Sequence, residues 1–444
     1  MKIFNYKILL LLAFATIFVA CETDFNNTNE PAEDQVFESK EGLMLTSIGM
    51  TQHFSTSTLG AITEIPGLST REFGNLSTYL TPSELIAGGS GLPDDNAGIT
   101  RLWGRLLKDK GVAESILSSV DEITMDPGTK SGIKAYAKFF KAMTLGNLVQ
   151  NFEQAPIDNQ ADGQAKFSNK ETVLAECISL LESAKSDIAT TPMSDEFIAI
   201  IPELDLENMI NAFLARYNLS AGNYEAAINA ADSVDLTSMS IWQYDGSTNQ
   251  NPVWKLAVED PADTKPQDNF GLLGEYITEA GDGRVAFYLS PSDVVENPDH
   301  GYGDHPIEDL LGFFDTASTS IPVYLPGEML LIKAEAYAMI DLPSAIAPLN
   351  VVRNKTDDVF GVNAGLGDWT GDETDRTAVL NEIYKNRCIE LFMTGMRLED
   401  SRRIHSDFTP ANAADYVSER NRNYYPYPFQ EKANNSNCPA DPSI

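Results

Sequence analysis

Apolar residues recur at helical spacing along most of this chain. Over 99–120 they are Leu102, Trp103, Leu106, Leu107, Val112, Ile116 and Leu117. Over 131–152 they are Ile133, Tyr136, Ala137, Phe140 and Met143, and over 170–188 Val173, Leu174, Cys177, Leu180, Leu181 and Ala184. Residues 35–57 repeat the pattern, with Val36, Phe37, Leu43 and Ile48 on the apolar side. Two segments read as helical hairpins. In 206–234, Leu206, Met209, Ile210, Phe213, Leu214 and Tyr217 break at Gly222-Asn223, and Tyr224, Ala227, Ile228 and Ala231 resume. In 326–355, Met329, Leu330, Lys333, Ala334 and Tyr337 turn at Asp341-Leu342-Pro343 into Ala345, Leu349 and Val352. Ala- and Tyr-rich hairpins of this kind bury a face only by stacking on each other. They predict a mostly α fold with little β-structure: a tetratricopeptide-like helical hairpin scaffold over about 99–234 and 326–404, inside a single domain spanning 36–444.

Two stretches interrupt the pattern. Residues 58–98 carry Gly60, Pro66, Gly67, Gly74, Pro82, Gly88, Gly89, Gly91 and Pro93, with Arg71, Phe73 and Tyr79 among them. Residues 235–324 are rich in turns and aromatics, including Trp242, Tyr244, Trp254, Phe270, Tyr276, Tyr302 and Phe313; Val285–Leu289 reads as a short strand. Long irregular runs inside a compact domain are usually functional. Both are expected to be loops that form a ligand face.

Composition narrows the class. The chain has 444 residues, 43% of them hydrophobic, enough for a large core. With 31 basic and 65 acidic residues its formal charge is −34, which argues against nucleic acid as a partner. Lys2 and Lys7 precede an apolar run, Ile8–Ala20, that falls short of the ~20 residues a membrane span needs. Ala20-Cys21 resembles a bacterial lipobox, so 1–20 reads as a lipoprotein signal peptide and Cys21 as the acylated first mature residue. The other reading is ordinary secretory cleavage that leaves Cys21 a free thiol. The acidic, Asn-rich segment 21–35 is expected to be a flexible tether. Cys177, Cys388 and Cys438 remain, an odd number with no CxxC. Cys177 and Cys388 lie on helical patterns and are expected to be buried; a bridge to Cys438 is the lesser reading.

Tyr384–Ile404 concentrates Lys385, Arg387, Arg397, Arg402 and Arg403 among Glu390, Glu399 and Asp400. Opposite charges within helical reach predict an ion-pair lattice rather than an anion site. The same residues carry a resemblance. Arg387, Ile389-Glu390-Leu391, Gly395-Met396-Arg397 and Asp400-Ser401-Arg402-Arg403 follow the order of the C-terminal signature of the SusD/RagB family of Bacteroidetes outer-membrane lipoproteins, with Thr394 and Met396 as departures. Ala135–Pro156, Asn208–Val234, Gly283-Arg284, Leu325–Asn354 and Tyr425-Pro426-Tyr427-Pro428 resemble further elements of that family in the same order. The resemblance covers nearly the whole mature chain. It implies a cell-surface protein, lipid-anchored at Cys21 in the outer membrane, that caps a TonB-dependent transporter (SusC-like). Such a protein captures a nutrient, usually an oligosaccharide or polysaccharide and in some members a peptide. Catalysis is not implied.

The chain holds no HExxH, GxSxG, P-loop or GxGxxG motif, and no catalytic residue, metal or cofactor is assigned. Asp299, His300, Asp304 and His305 lie close together but read as a solvated turn. Sugar capture needs flat rings for the apolar faces of pyranoses and polar edges for their hydroxyls. Trp242, Tyr244 and Asp245 offer both, as does Tyr302; Arg71 and Tyr79 lie in the other irregular stretch. These six are the candidate ligand contacts, weighed against aromatics that simply plug loops onto the scaffold. Trp103 sits on a helical stripe and is assigned to the core. A secreted glycan hydrolase and a ligand-free helical adaptor are the competing readings.

Overall fold

The computed structural model describes residues 36–259, 264–292, 306–406, 408, 410 and 420–444. The expected signal peptide, Cys21, the tether, Tyr302 and the 299–305 cluster lie outside them. Helix α1 (Lys40–His53) opens on a Ser39 cap and runs into a π-helical turn, Phe54–Thr58, which continues as α2 (Leu59–Ser69). Helix α3 (Leu80–Ala87) precedes α4 (Ala97–Ser119), which Asn96 caps by accepting the N–H groups of Gly98 and Ile99. Asp126 caps α5 (Pro127–Asn151), where Pro127 begins the helix without wasting a donor. Helices α6 (Lys170–Thr190), α7 (Leu206–Ser220), α8 (Tyr224–Asp232), α9 (Pro326–Ile340), α10 (Ile346–Asn354), α11 (Arg376–Glu390) and α12 (Arg397–Ile404) complete the scaffold.

Consecutive helices α4 to α9 pack side by side, and α10 and α11 both pack on α9. This is the stacked-hairpin order that the periodicity requires. The hairpin breaks fall where expected: Gly222, at φ +76°, turns α7 into α8, and Leu342–Ala345 links α9 to α10. Gly146 lets α7 approach α5 closely, since a β-carbon there would lie 2.2 Å from the Tyr217 ring. Trp103 is buried against Phe152 and Tyr427, as its helical stripe predicts. Among the described residues no disulfide joins Cys177, Cys388 and Cys438; the first two are buried. Among the described residues no helix is long and apolar enough to cross a membrane.

The irregular stretches depart from expectation. Much of 58–98 is helix, not loop. Pro66 sits inside α2, and the carbonyl of Ile62, which Pro66 cannot bond, packs against Gly395 instead. Val285–Leu289 does not form a strand: Asp282 caps a helical turn, Gly283–Tyr288, and extended chain begins only at Leu289. The described parts of 235–324 hold one further short helix, Pro252–Ala257, several tight turns and short extended pieces. Short antiparallel pairs tie segments of the chain together. Strand β1 (Phe73–Asn75) pairs with β5 (Thr264–Pro266), β2 (Gln154–Pro156) with β3 (Phe167–Asn169), β4 (Ile241–Trp242) with β8 (Ile321–Pro322), and β6 (Leu289–Pro291) with β7 (Glu308–Leu310).

The basic stretch of α11 and α12 is an ion-pair lattice inside the fold. Arg387 donates to both oxygens of Asp400 at 2.9 Å, and Arg403 pairs with Asp400 and Glu335. Arg284, fully buried, joins Asp282, Asn386 and Glu390. Arg397 donates to the carbonyls of Phe270 and Gly271. Several partners come from other elements, so the lattice ties the last helices to the middle of the chain rather than bracing one helix alone. The residues with positive φ other than glycine, Arg71, Asn269, Phe270 and Met393, cluster where these segments cross. There Glu72 accepts the Met393 N–H at 3.1 Å, and its own carbonyl accepts the Gln267 N–H. Burial pushes the Glu72 carboxyl above the usual carboxylate range, against the pull of Arg397. The tail then returns to the start of the chain. Asn421 donates to the carbonyls of Leu85 and Ile86, Arg422 to that of Gly89, and the Tyr425 hydroxyl to that of Ile65.

Candidate functional site

The end of α1 and the π-turn after it form one wall of a surface groove of about 190 Å³. A π-turn widens the helix by one residue, and such turns often mark functional positions. It is stabilised locally: the Thr56 hydroxyl donates to the Gln52 carbonyl at 2.7 Å. Ile48, Thr51, Gln52, Ser55 and Thr56 face the groove from this side. The segment Ile200–Leu204, just before α7, forms the facing wall. Ile241, Trp242, Gln243 and Asn249 close the end. Its lining combines aliphatic side chains with carboxamides, hydroxyls and one carboxylate, Glu203. An apolar concavity with few polar groups is the usual form of a small-ligand site.

The polar part of the lining is organised in advance. Asp245 accepts the N–H groups of Ser247 and Asn249 at 2.7 and 2.8 Å, closing a tight turn with Gly246 at φ +73°. These bonds hold the exposed Asp245 carboxyl below the usual carboxylate range. The turn presents Asn249 to Gln52, whose Nε2 donates to Asn249 Oδ1 at 2.6 Å.

The sequence candidates divide. Trp242 is only 3% exposed; it packs on Phe54 and Phe140 at centroid distances of 5.5 and 6.1 Å. Strand β4 turns it inward, so it walls the groove and offers no open ring face. Tyr244 is also buried, with its hydroxyl donating to the Ser55 carbonyl at 3.0 Å. Burial raises its phenol well above the ordinary value. Arg71 is buried at a left-handed position, φ +68°. These three are corrected from ligand-facing loop residues to structural ones, because their backbone sits in packed crossings. Asp245 is exposed, but its acceptor capacity serves the turn. Tyr79, 63% exposed before α3, does present its ring to solvent. Ile48, expected on a core stripe, is 39% exposed in the groove.

Gln52, Glu203, Gln243 and Asn249 were not singled out by sequence reasoning. The one local signal was Gln243, between two aromatics. The others come from separate elements that only the fold brings together.

Beside Trp242 lies a second, partly open cavity of about 60 Å³, lined mainly by aromatic and aliphatic side chains and by the ion pair of Arg216 and Glu328. Trp242 lines both spaces.

No family model matches the chain, and no curated protein matches its sequence. Its fold does match solved structures. A SusD-like carbohydrate binding protein from Bacteroides fragilis is similar at a TM-score of 0.67 and 15% identity, over 90% of this chain and 99% of that one. A SusD superfamily protein from Bacteroides vulgatus gives 0.65 and 15%, over 91% and 99%. A SusD homolog from Bacteroides thetaiotaomicron gives 0.66 and 14%, over 93% and 99%.

Proposed function

On the premise of a SusD-like fold, we propose that this chain is a nutrient-capturing lipoprotein of the outer-membrane surface. It is anchored through an acylated Cys21, holds an oligosaccharide or polysaccharide, and passes it to a partner TonB-dependent transporter (SusC-like). The observation that carries this reading is the groove at the π-turn, with its aliphatic and carboxamide lining, on a scaffold shared with a protein described as carbohydrate binding. The groove suits binding without chemistry. Glu203 is the one carboxylate among its lining residues, whereas glycoside hydrolysis generally uses two. Tyr79 supplies an exposed ring that a sugar can also reach. Trp242, Tyr244 and Asp245 act by shaping the groove wall and the Asn249 turn. Calorimetry of the mature chain across a polysaccharide panel tests the reading. Binding to at least one glycan, weakened by Asn249→Ala or Tyr79→Ala in a folded protein, is the expected result. Binding to peptides and to no glycan would replace sugar by peptide capture.

A further inference from the structure

The lining of the groove does not suit a stacked sugar ring. Trp242 is almost wholly buried, and the apolar lining that remains is aliphatic: Ile48, Ile200, Ile201, Pro202, Leu204 and Ile241. A flat pyranose face gains most from an aromatic platform. Aliphatic side chains offer no such platform but pack well against a methyl group.

The lining also carries a matching polar pattern. The carboxamides of Gln52 and Asn249 bond to each other once, at 2.6 Å. Each carboxamide has one oxygen acceptor and one NH₂ donor group. Whichever way round the two are oriented, one bond between them leaves one oxygen and one NH₂ group facing outward. An exposed acceptor beside an exposed donor is the complement of an amide, which offers an N–H and a C=O. The Asp245 turn fixes Asn249, so this pair is set before any ligand arrives.

Charge adds a third constraint. Glu203 is the one carboxylate in the lining, and no Lys or Arg lines the groove. An anionic ligand there would meet a carboxylate with no compensating cation.

We infer that the groove recognises an acetamido group on an uncharged glycan. The methyl packs on the aliphatic lining, the amide N–H and C=O meet the Gln52–Asn249 pair, and Glu203 turns away carboxylated sugars. This rests on the glycan-capture reading and narrows it to N-acetylated amino sugars without acidic units.

Three probes are titrated into the full mature chain by calorimetry: a β1,4-linked N-acetylglucosamine tetramer, the β1,4-linked glucose tetramer, and a tetramer of N-acetylglucosamine alternating with glucuronate. The first is expected to bind roughly tenfold or more tightly than the second, the range expected when a site built for a polar group meets an analogue lacking it. The third should bind more weakly than the first, and Glu203→Gln should narrow that gap. Gln52→Ala with Asn249→Ala should bring the first down toward the second, with the thermal transition of the variant confirming that it folds. Equal affinity for the glucose and N-acetylglucosamine tetramers would overturn this inference alone, as would acidic and neutral probes binding alike. Failure of a broad glycan panel to bind at all would overturn glycan capture itself.

Discussion

Arg216 and Glu328 connect the hairpin of α7 and α8 to that of α9 and α10, and removing one of them should reveal how much that link contributes. The pair is bidentate: Nε to Oε1 at 2.6 Å and Nη2 to Oε2 at 2.8 Å. The side chains are 12% and 2% exposed, and the guanidinium lies 4.1 Å from the Phe213 ring centroid. Glu328→Ala leaves a buried cation without its partner, a change that costs about 3–5 kcal/mol in proteins. The adjacent cavity moderates this. It measures about 60 Å³, and a water needs only about 10–15 Å³, so several waters can reach the orphaned guanidinium. The lower end, about 3 kcal/mol, is therefore expected, a large share of a total stability of roughly 5–15 kcal/mol. Replacing both residues by Met removes the charges together and should leave stability within ~1 kcal/mol of the wild type, because no unpaired ion remains. Urea unfolding followed by circular dichroism and tryptophan fluorescence, with unchanged transition slopes, measures all three proteins. A Glu328→Ala protein within ~1 kcal/mol of wild type would refute the reasoning, since the pair would then behave like a surface contact. So would a double Met variant no more stable than Glu328→Ala.

Three more outcomes follow from the charge network. Arg353 and Lys385 hold the Glu279 carboxyl at about 2, below its ordinary 4.5; the stability it contributes is present above pH 4.5 and is lost as the pH falls toward 2, so Glu279→Gln should flatten acid unfolding across that window. Burial lowers the Lys110 ammonium from 10.5 to about 8, against the pull of Glu114. The unfolded chain then binds more protons than the folded one between pH 8 and 10.5, and wild-type stability relative to Lys110→Met should rise over that range in parallel denaturation series. Arg397→Ala removes charged hydrogen bonds to the Phe270 and Gly271 carbonyls and should cost about 2–3 kcal/mol while leaving glycan affinity unchanged; a stable variant with lost affinity would contradict its structural role.

The scaffold was legible because stacking imposes a period. Phe213, Leu214 and Tyr217 must share a face for α7 to bury anything, and Gly222 must end it. The same logic fails over 58–98, where Gly and Pro read as breakers but much of the segment is helix. Pro66 lies inside α2 all the same, with the Ile62 carbonyl against Gly395, more than three hundred residues away. No local pattern encodes that. The candidate site suffered from a related blindness. Aromatics in a turn-rich stretch look exposed, yet the two-residue pairing of β4 with β8 turns Trp242 inward onto Phe54. The groove depends on Gln52, Glu203 and Asn249, ordinary surface residues until the fold sets them side by side. By contrast, the Arg387–Asp400 pairing could be foreseen, because in so acidic a chain each arginine has carboxylates within reach.

The return of the C-terminal tail to the first helices bears on how such a chain is made. Arg422 and Gly89 are 333 residues apart and touch in the finished protein. Synthesis at about 5–20 residues per second would put some tens of seconds between their appearances. During that interval the interior carbonyls of Ile65, Leu85 and Gly89 must find temporary partners in water. The molecule therefore cannot mature from one end to the other, and its final twenty-odd residues act as the seam that closes it. A polypeptide built this way cannot complete its first helices until its last residues arrive.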